Sequence, residues 1–308
     1  MNRDMTKIVE FIVFVNGVKK FKARDINETN NNPYIKISEK YCRLSLSYSF
    51  LFFRIVPIGE NNKVAINDNK NMLIINIMKV SVIIPAYNEY QTIEKIINKV
   101  IQTKLNLQII VIDDFSSDGT RDILLKKCKH LIDELILHNK NLGKGAAIKS
   151  AQKKVNGDCV IIQDADLEYD PSDYIKLIKP IMDKSFKVVY GSRVLGKNRY
   201  SEKSFTSKFR VFFNHILTIF TNFLFNQNLT DAHTCYKTFE TNLFKKINLE
   251  ENDFAFCPEI TAKTSKLGIK IYEVPINYKG RSYQEGKKIS IYDGFRAIYV
   301  LLKHKFIL

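Results

Sequence analysis

Several common signatures are absent from this 308-residue sequence. It contains neither the G-x-G-x-x-G motif of dinucleotide-binding folds nor the G-x-x-x-x-G-K-[ST] motif of P-loop enzymes, so neither class is indicated. Its five cysteines are widely spaced and form no C-x-x-C pair, which argues against a zinc site and a disulfide framework and is typical of a reducing compartment. No run of about 18 apolar residues occurs, so no membrane-spanning helix is predicted.

The charge of the chain is strongly unbalanced. Lys and Arg exceed Asp and Glu to give a formal net charge of +16, which predicts anionic partners such as nucleic acid, phosphorylated substrates or an acidic membrane surface. The basic residues form no recognised nucleic-acid module, so no nucleic-acid partner is expected. The N-terminus has an acidic residue and no clear small-residue cleavage site, which makes a poor signal peptide and favours the cytoplasm.

Residues 1–77 differ in character from the rest of the chain. The segment "GENNKVAINDNKNM" and others nearby are rich in Asn, and we expect them to be loop-like and poorly ordered. Met78 opens "MKVSVIIPAYNE", which is typical of the start of a domain, so residues 78–308 are predicted to form the main domain. The first 77 residues are either an accessory segment of unknown role or the product of a start codon assigned too far upstream.

Strand and helix patterns alternate from Lys79 to Arg193. "VSVII" and "LQIIVID" are short apolar runs, whereas "TIEKIINKVIQTKL" places its apolar residues at helical spacing. Such alternation predicts an α/β fold with a mainly parallel sheet and helices on both faces. Ligands bind such sheets at the carboxyl ends of the strands.

Polar residues follow the predicted strands at those ends. "PAYNE" comes after the first strand and "VIDDFSSDGT" after the second. Asp113 and Asp114 could accept hydrogen bonds from a base or a ribose. Alternatively, Asp114 or a neighbouring serine caps the next helix.

The stretch "VIIQDADLEYDP" places four carboxylates on alternate positions of a basic chain. Residues two apart on an extended strand end point the same way, so Asp164 and Asp166 are expected to face one point. Carboxylate oxygens suit a hard divalent ion such as Mg²⁺ or Mn²⁺, which can bridge to phosphate oxygens. A D-x-D motif alone is common by chance, but this one ends a strand in register with two other polar strand ends.

Six ordered segments closely resemble glycosyltransferase family 2, and within it the dolichyl- or polyprenyl-phosphate mannose and glucose synthases. They are "VSVIIPAYNE", "IIVIDDFSSDGT", "NLGKGAAI", "IIQDADLEYDP", "VVYGSR" and "DAHTCYKTF". The resemblance implies a GT-A type nucleotide-diphospho-sugar transferase fold. It also implies a nucleotide-sugar-binding half, residues 78–193, and an acceptor-binding, membrane-facing half, residues 194–308.

The resemblance also implies roles for individual residues. Asp164 and Asp166 match the motif that binds a divalent metal and the ribose-diphosphate, and Glu168 stands where relatives often have Gln. Lys144 is expected at a helix start that favours an anion, although a solvated lysine in a tight turn is an equal alternative. The remaining implied contacts to the base and ribose of a nucleotide sugar are Pro85, Tyr87, Glu89 and Asp114.

The acceptor decides which residues do the chemistry. A hydroxyl acceptor needs a general base, for which Glu259 in "FCPEI" is the candidate, whereas a phosphate acceptor needs positive charge to hold it. The residues that match basic positions of the family are Arg193, Lys237, Arg281, Lys287 and Lys288.

These features predict an inverting, metal-dependent glycosyltransferase that uses a polyprenyl-phosphate acceptor at the cytoplasmic face of a membrane. Residues 208–226, "KFRVFFNHILTIFTNFLFN", could lie flat on that membrane with Lys208 and Arg210 near the headgroups, or could pack on the domain itself. The apolar residues expected to enter the membrane are Phe212, Phe213, Ile216, Phe220 and Phe223.

Other functions stay open at this point. A transferase that acts on a hydroxyl acceptor is the alternative within the family, and a non-catalytic nucleotide-sugar-binding protein is a more distant one. Processive polysaccharide synthases of the family carry a Q-x-x-R-W signature, which a chain without tryptophan lacks.

Overall fold

A computed structural model describes residues 54–58, 63–68, 71–76, 78–196, 205–280 and 291–307, with the backbone alone for the strands before residue 77, for residues 205–210 and for residue 291. The chain divides into two compact units, Met1–Met78 and Lys79–Leu308. Arg281, Lys287 and Lys288 lie outside the described residues, as do the side chains of Lys208 and Arg210.

The first unit contains an antiparallel three-stranded sheet of β1 (Arg54–Ile58), β2 (Lys63–Asp68) and β3 (Asn71–Asn76). This differs from the loop-like segment that the sequence predicted. Valine and isoleucine alternate with other residues in "KVAIND", and two residues separate β2 from β3, which is a common hairpin length. The Asn-rich composition obscured this short-range pattern.

The second unit is built on a seven-stranded sheet in the order β10-β8-β9-β7-β4-β5-β6. All neighbouring pairs are parallel except those of β9, which runs antiparallel to β7 and β8. The mainly parallel sheet that the sequence predicted is therefore confirmed. The strands are β4 (Lys79–Ala86), β5 (Asn106–Asp113), β6 (Glu134–Leu137), β7 (Cys159–Ile162), β8 (Val188–Ser192), β9 (Lys237–Glu240) and β10 (Tyr272–Pro275).

Helices connect these strands. The chain moves outward from β4 to β6 and then returns to β7 and β8. Because such crossovers are right-handed, α1 and α2 cover one face of the sheet, and α3 and α4 cover the other. The helices are α1 (Ile93–Gln102), α2 (Thr120–Ile123), α3 (Lys144–Gln152), α4 (Tyr174–Met182), α5 (Phe205–Phe225), α6 (Thr241–Lys246), α7 (Phe256–Lys266) and α8 (Ile291–Phe306).

The core lies at the centre of this sheet. Val82 and Ile84 of β4 and Ile110 of β5 have no exposed surface, and the isoleucines Ile93, Ile96 and Ile97 of α1 are fully buried as well. Strands covered on both faces read as continuous apolar runs, which is why "VSVII" carries no alternation. In the described part of the chain, none of the helices combines the length and hydropathy needed to span a bilayer.

Three strands end at one edge of the sheet, and each is followed by a non-glycine residue with a left-handed backbone. These residues are Asn88 (φ 55°) after β4, Phe115 (φ 64°) after β5 and Leu167 (φ 64°) after β7. A left-handed backbone is unfavourable for bulky side chains and tends to occur at functional sites. The turns bring the polar motifs of the three strands to the same edge.

Candidate active site

The acidic motif begins directly after β7. Asp166 fixes its own turn because its Oδ1 accepts the N–H of Glu168 at 3.1 Å. Asp170 has a different local role, since its carboxylate caps the turn before α4 by accepting the N–H of Ser172 at 2.9 Å. Asp164, Asp166 and Glu168 are therefore the carboxylates that remain as candidate ligands.

A buried glutamine supports this motif from below. Gln163 has no exposed surface, and its Oε1 accepts the hydroxyls of Tyr174 and Tyr236, each at 2.7 Å. Its Nε2 donates to the backbone oxygen of Asp164 at 3.0 Å. No role for Gln163 was predicted from the sequence, although a polar residue at the end of an apolar strand is a signal for one.

Lys144 is the positive partner of the acidic motif in the structure. Its Nζ pairs with Oδ1 of Asp164, and both side chains are mostly buried. Burial disfavours the ammonium form, but the Asp164 carboxylate outweighs that effect and holds the pKa of Lys144 well above its usual range. Lys144 is the first residue of α3, as the sequence predicted.

Asp114 holds the loop that leads into α3. Its Oδ1 accepts the N–H of Leu142 at 2.8 Å, and its Oδ2 accepts the N–H of Gly143 at 2.7 Å. The ring Nδ1 of His138 lies 2.7 Å from the same Oδ1. These bonds position the loop before Lys144, and the contact of Asp114 with a nucleotide stays a prediction. The pattern of the sequence indicated neither the His138 contact nor this anchoring role.

Two glycines let the start of α3 pack closely. A Cβ on Gly143, which has φ 94°, would lie 2.5 Å from the backbone oxygen of Asn252. A Cβ on Gly145 would collide with the backbone oxygen of Glu251. The N–H of Ala146 donates to Asn252 O at 3.0 Å. The segment 250–253 therefore forms a firm backing for Lys144.

Hydrogen bonds join the motif after β4 to the motif after β5. The N–H of Asn88 donates to Ser116 Oγ at 2.9 Å, and that of Glu89 donates to Thr120 Oγ1 at 2.8 Å. Glu89 is buried and accepts a hydrogen bond from Thr92 at 2.7 Å. Tyr87, by contrast, is 37% exposed at this edge, which suits contact with a base.

Pro85 and Asp113 lie inside the sheet rather than on its edge. Pro85 is half-buried within β4 beside Ile112. Asp113 has no exposed surface, and its Oδ2 accepts from Arg121 Nε at 2.6 Å. This ion pair, in which the Arg121 side chain is 28% exposed, does not support the predicted contact of Asp113 with a nucleotide.

Arg193 lies close to the acidic motif and contacts residues of the predicted acceptor-binding half, 194–308. Its guanidinium forms a bidentate pair with Asp231, both N–O distances being 2.7 Å, and lies 5.2 Å from the ring centroid of Tyr278. Burial opposes the charge of each partner, but their attraction outweighs it, so the pKa of Asp231 is lowered and that of Arg193 is raised.

Lys237 does not contact a substrate surface. Its side chain is fully buried, and Nζ donates to the backbone oxygens of Ala232 at 2.9 Å and Thr234 at 2.6 Å. The ammonium also lies 4.1 Å from the ring centroid of Tyr190, and burial lowers its pKa. The prediction that Lys237 grips an acceptor phosphate is not supported, because these contacts make it a support for the loop before β9.

Glu259 is also engaged elsewhere. It is fully buried in α7, where Oε1 accepts the N–H of Glu250 at 2.6 Å and Oε2 accepts that of Glu251 at 2.9 Å. Its Oε1 lies 2.8 Å from Lys263 Nζ. This arrangement does not support the predicted general base, and it instead fixes the segment that backs α3.

The three candidate ligands fit a hard divalent cation. Asp164, Asp166 and Glu168 offer carboxylate oxygens at the carboxyl end of a parallel strand, a donor set that Mg²⁺ and Mn²⁺ prefer. The first residue of α3 stands beside them, so helix backbone N–H groups and an ammonium are both close to where an anion would bind.

Comparison with known proteins agrees with this geometry. Residues 81–248 match the family model described as Glycosyl transferase family 2. A UDP-N-acetylglucosamine–dolichyl-phosphate N-acetylglucosaminyltransferase of Methanococcus voltae is 30% identical over 244 residues, which cover 72% of this chain and 94% of that protein. A dolichol-phosphate mannosyltransferase of Pyrococcus furiosus is 28% identical over 232 residues, covering 73% of this chain and 64% of that protein.

A solved structure shares the fold. Glucosyl-3-phosphoglycerate synthase from Mycobacterium tuberculosis, crystallised with Mn²⁺, UDP and glucosyl-3-phosphoglycerate, aligns with a TM-score of 0.56 and 17% identity. The alignment covers 75% of this chain and 81% of that chain. The GT-A type fold predicted from the sequence is confirmed.

Proposed function

The chain belongs to glycosyltransferase family 2, and we propose that it transfers a sugar from a nucleotide sugar to a polyprenyl or dolichyl phosphate, with inversion and with a divalent metal. The observation that carries this proposal is the pairing of Asp164 with Lys144 at the strand edge that also holds Asp166 and Glu168. An acidic ion site beside a cationic helix start suits a metal-bound diphosphate.

The residues of the site divide the work. Asp164, Asp166 and Glu168 would hold the cation, which supplies positive charge to the departing diphosphate. The ammonium of Lys144, the first residue of α3, would bind the same diphosphate. The exposed ring of Tyr87 would contact the base.

The engaged carboxylate of Glu259 favours a phosphate acceptor. A hydroxyl loses a proton as the bond forms and needs a general base, whereas a phosphate monoester is already anionic near neutral pH. A phosphate acceptor needs positive charge close to the sugar. Arg193 is the candidate for this charge by position, because it lies 5.2 Å from the ring centroid of Tyr278, whose hydroxyl donates to Glu168, and an acceptor phosphate would share its guanidinium with Asp231.

A lipid acceptor also accounts for the exposed apolar faces of α5 and α8. On α5, Phe223 is 83% exposed, whereas Phe220 packs against the cluster of Leu224, Phe225 and Leu301 that joins the two helices. Phe220 therefore packs on the domain, in line with the alternative that the sequence left open. The exposed apolar residues are Phe212, Phe213, Ile216, Ile219 and Phe223 on α5, with Tyr292, Phe295, Tyr299, Leu302 and Phe306 on α8.

The α8 residues recur every three or four positions and so share one side of the helix. A basic chain with such faces suits the surface of an anionic membrane, where a polyprenyl phosphate resides. We therefore place the enzyme, as part of this proposal, peripherally on the cytoplasmic face.

Activity assays with a donor panel test the function. The purified chain is incubated with labelled UDP-glucose, UDP-N-acetylglucosamine or GDP-mannose, Mn²⁺ and dolichyl phosphate, and the lipid is extracted. We expect label in the lipid fraction from one donor, and none after EDTA treatment. Absence of lipid label from every donor of this class, with the protein folded, would contradict the proposal.

A further inference from the structure

Lys144 and a metal ion would compete for the same carboxylate. The ammonium of Lys144 pairs with Oδ1 of Asp164, and the pair is largely shielded from water, with side chains 14% and 19% exposed. Cys235 Sγ, 3.6 Å from the same ammonium, is a neutral neighbour because burial raises the pKa of its thiol. Asp164 is thus the carboxylate that compensates the charge of Lys144.

The backbone of Lys144 is held independently of this ion pair. Asp114 fixes the two residues before it, and close packing of Gly143 and Gly145 on residues 251–253 fixes its Cα. The side chain, in contrast, carries its ammonium at the end of a flexible four-carbon chain. The ammonium can therefore exchange one anionic partner for another while α3 stays in place.

We propose that Lys144 occupies the metal's position on Asp164 in the nucleotide-free enzyme and transfers to the diphosphate when metal and nucleotide sugar bind together. This inference rests on the proposed function. A metal ion arriving alone must either displace Lys144 from Oδ1 of Asp164 or bind the same carboxylate beside the ammonium, and both arrangements leave a cation close to a dication, which is repulsive. A metal ion that arrives with a nucleoside diphosphate brings Lys144 a new anionic partner, so Lys144 couples metal binding to nucleotide binding.

Mn²⁺ titrations followed by electron paramagnetic resonance test this coupling without measuring activity. The full chain is titrated with Mn²⁺ alone and with Mn²⁺ in the presence of UDP or GDP. We expect Lys144→Met to bind free Mn²⁺ about tenfold more tightly than the wild type and to lose most of the gain that the nucleotide gives. Lys144→Arg, which keeps the charge, should keep the weak binding of free Mn²⁺.

The control is Lys153→Met, which removes an exposed lysine directly after α3 and should leave Mn²⁺ binding unchanged. Circular dichroism and Tm establish that each variant is folded, and Lys144→Gln replaces Lys144→Met if the latter is not. Free Mn²⁺ binding to the folded neutral variant that is no tighter than wild type would overturn the inference.

Asp166→Asn separates this inference from the proposed function. If Asp166→Asn binds Mn²⁺ more weakly while Lys144→Met binds it as the wild type does, the metal site stands and only the coupling role of Lys144 is rejected. Unchanged Mn²⁺ binding by Asp166→Asn, with and without nucleotide, would place the metal elsewhere and reject the proposed site as well.

Discussion

The hydroxyl of Tyr278 donates a hydrogen bond to Oε2 of Glu168 over 2.8 Å. The backbone N–H of Lys279 donates to the backbone oxygen of Glu168 at 2.9 Å, so the two segments are joined by main chain as well. Glu168, the last of the three candidate metal ligands, is thereby joined to the segment after β10. This links the predicted nucleotide half of the domain to the predicted acceptor half.

Tyr278→Phe should therefore impair the site without unfolding the protein. Loss of one hydrogen bond to a charged group costs about 1.5–3 kcal/mol at most, and here it leaves Glu168 less firmly oriented. We expect kcat/KM to fall by up to roughly 10- to 150-fold and the half-saturating Mn²⁺ concentration to rise. Steady-state kinetics over a range of Mn²⁺ concentrations measure both. Unchanged kinetics would show that this bond does not position a ligand.

Glu259→Gln should behave as a stability variant rather than as a catalytic one. The substitution removes the charge that pairs with Lys263 and weakens the bonds to the backbone of Glu250 and Glu251. We expect unfolding free energy to fall by about 1–3 kcal/mol in urea titrations. Turnover per folded molecule should change less than about tenfold. A loss of ~10²- to 10⁴-fold with normal stability would instead identify a general base and a hydroxyl acceptor.

Some features of the site could be predicted from the sequence and others could not. The strand ends, the D-x-D motif and the helix start at Lys144 follow from local patterns, and the structure has each of them in the expected element. The partners of Asp113 and Glu259 do not follow from such patterns. A carboxylate at a strand end or on a helix looks the same in sequence whether it faces a ligand or a buried backbone N–H.

The same reason explains Lys237. Its neighbours in sequence suggest a surface loop, but β9 is inserted between β7 and β8, which buries the side chain. The antiparallel insertion depends on contacts distant in sequence, such as the Asp231 pair with Arg193. Local propensity carries no information on these contacts.

His233 should make stability depend on pH in a defined window. Burial, together with the charge of Lys237, lowers its pKa to about 4, against the attraction of Asp231. Between pH 6.5 and 4 the unfolded chain binds the proton and the folded chain does not, so stability falls as pH falls. We expect this histidine to cost about 1–2 kcal/mol at pH 5 relative to pH 7.

Urea titrations of the wild type and His233→Gln at both pH values measure this effect. The difference between pH 7 and pH 5 should be smaller in the variant, although His304, whose pKa is also lowered by burial, keeps part of it. An equal difference in both proteins would show that the pKa of His233 is the same in the folded and the unfolded chain.

The exposed faces of α5 and α8 should carry the membrane contact. Phe223→Asp and Phe295→Asp each place a charge on residues that are 83% and 68% exposed. We expect each to reduce co-sedimentation with anionic phospholipid vesicles by at least about fivefold, because a buried aromatic side chain contributes about 1.5–3 kcal/mol. Leu125→Asp is the control, since Leu125 is an exposed apolar residue after α2. Equal losses in all three variants would contradict a specific surface.

The most direct test of a phosphate acceptor compares two lipids that differ by one phosphate. The wild type and Asp166→Asn are incubated with the productive sugar nucleotide, Mn²⁺ and either dolichyl phosphate or dolichol, and the lipid products are identified by mass spectrometry. We expect a glycosyl phosphate lipid from dolichyl phosphate in the wild type, no product from dolichol, and at least about a 100-fold loss of product in Asp166→Asn. Sugar attached to dolichol, or undiminished product in Asp166→Asn, would contradict the proposed function.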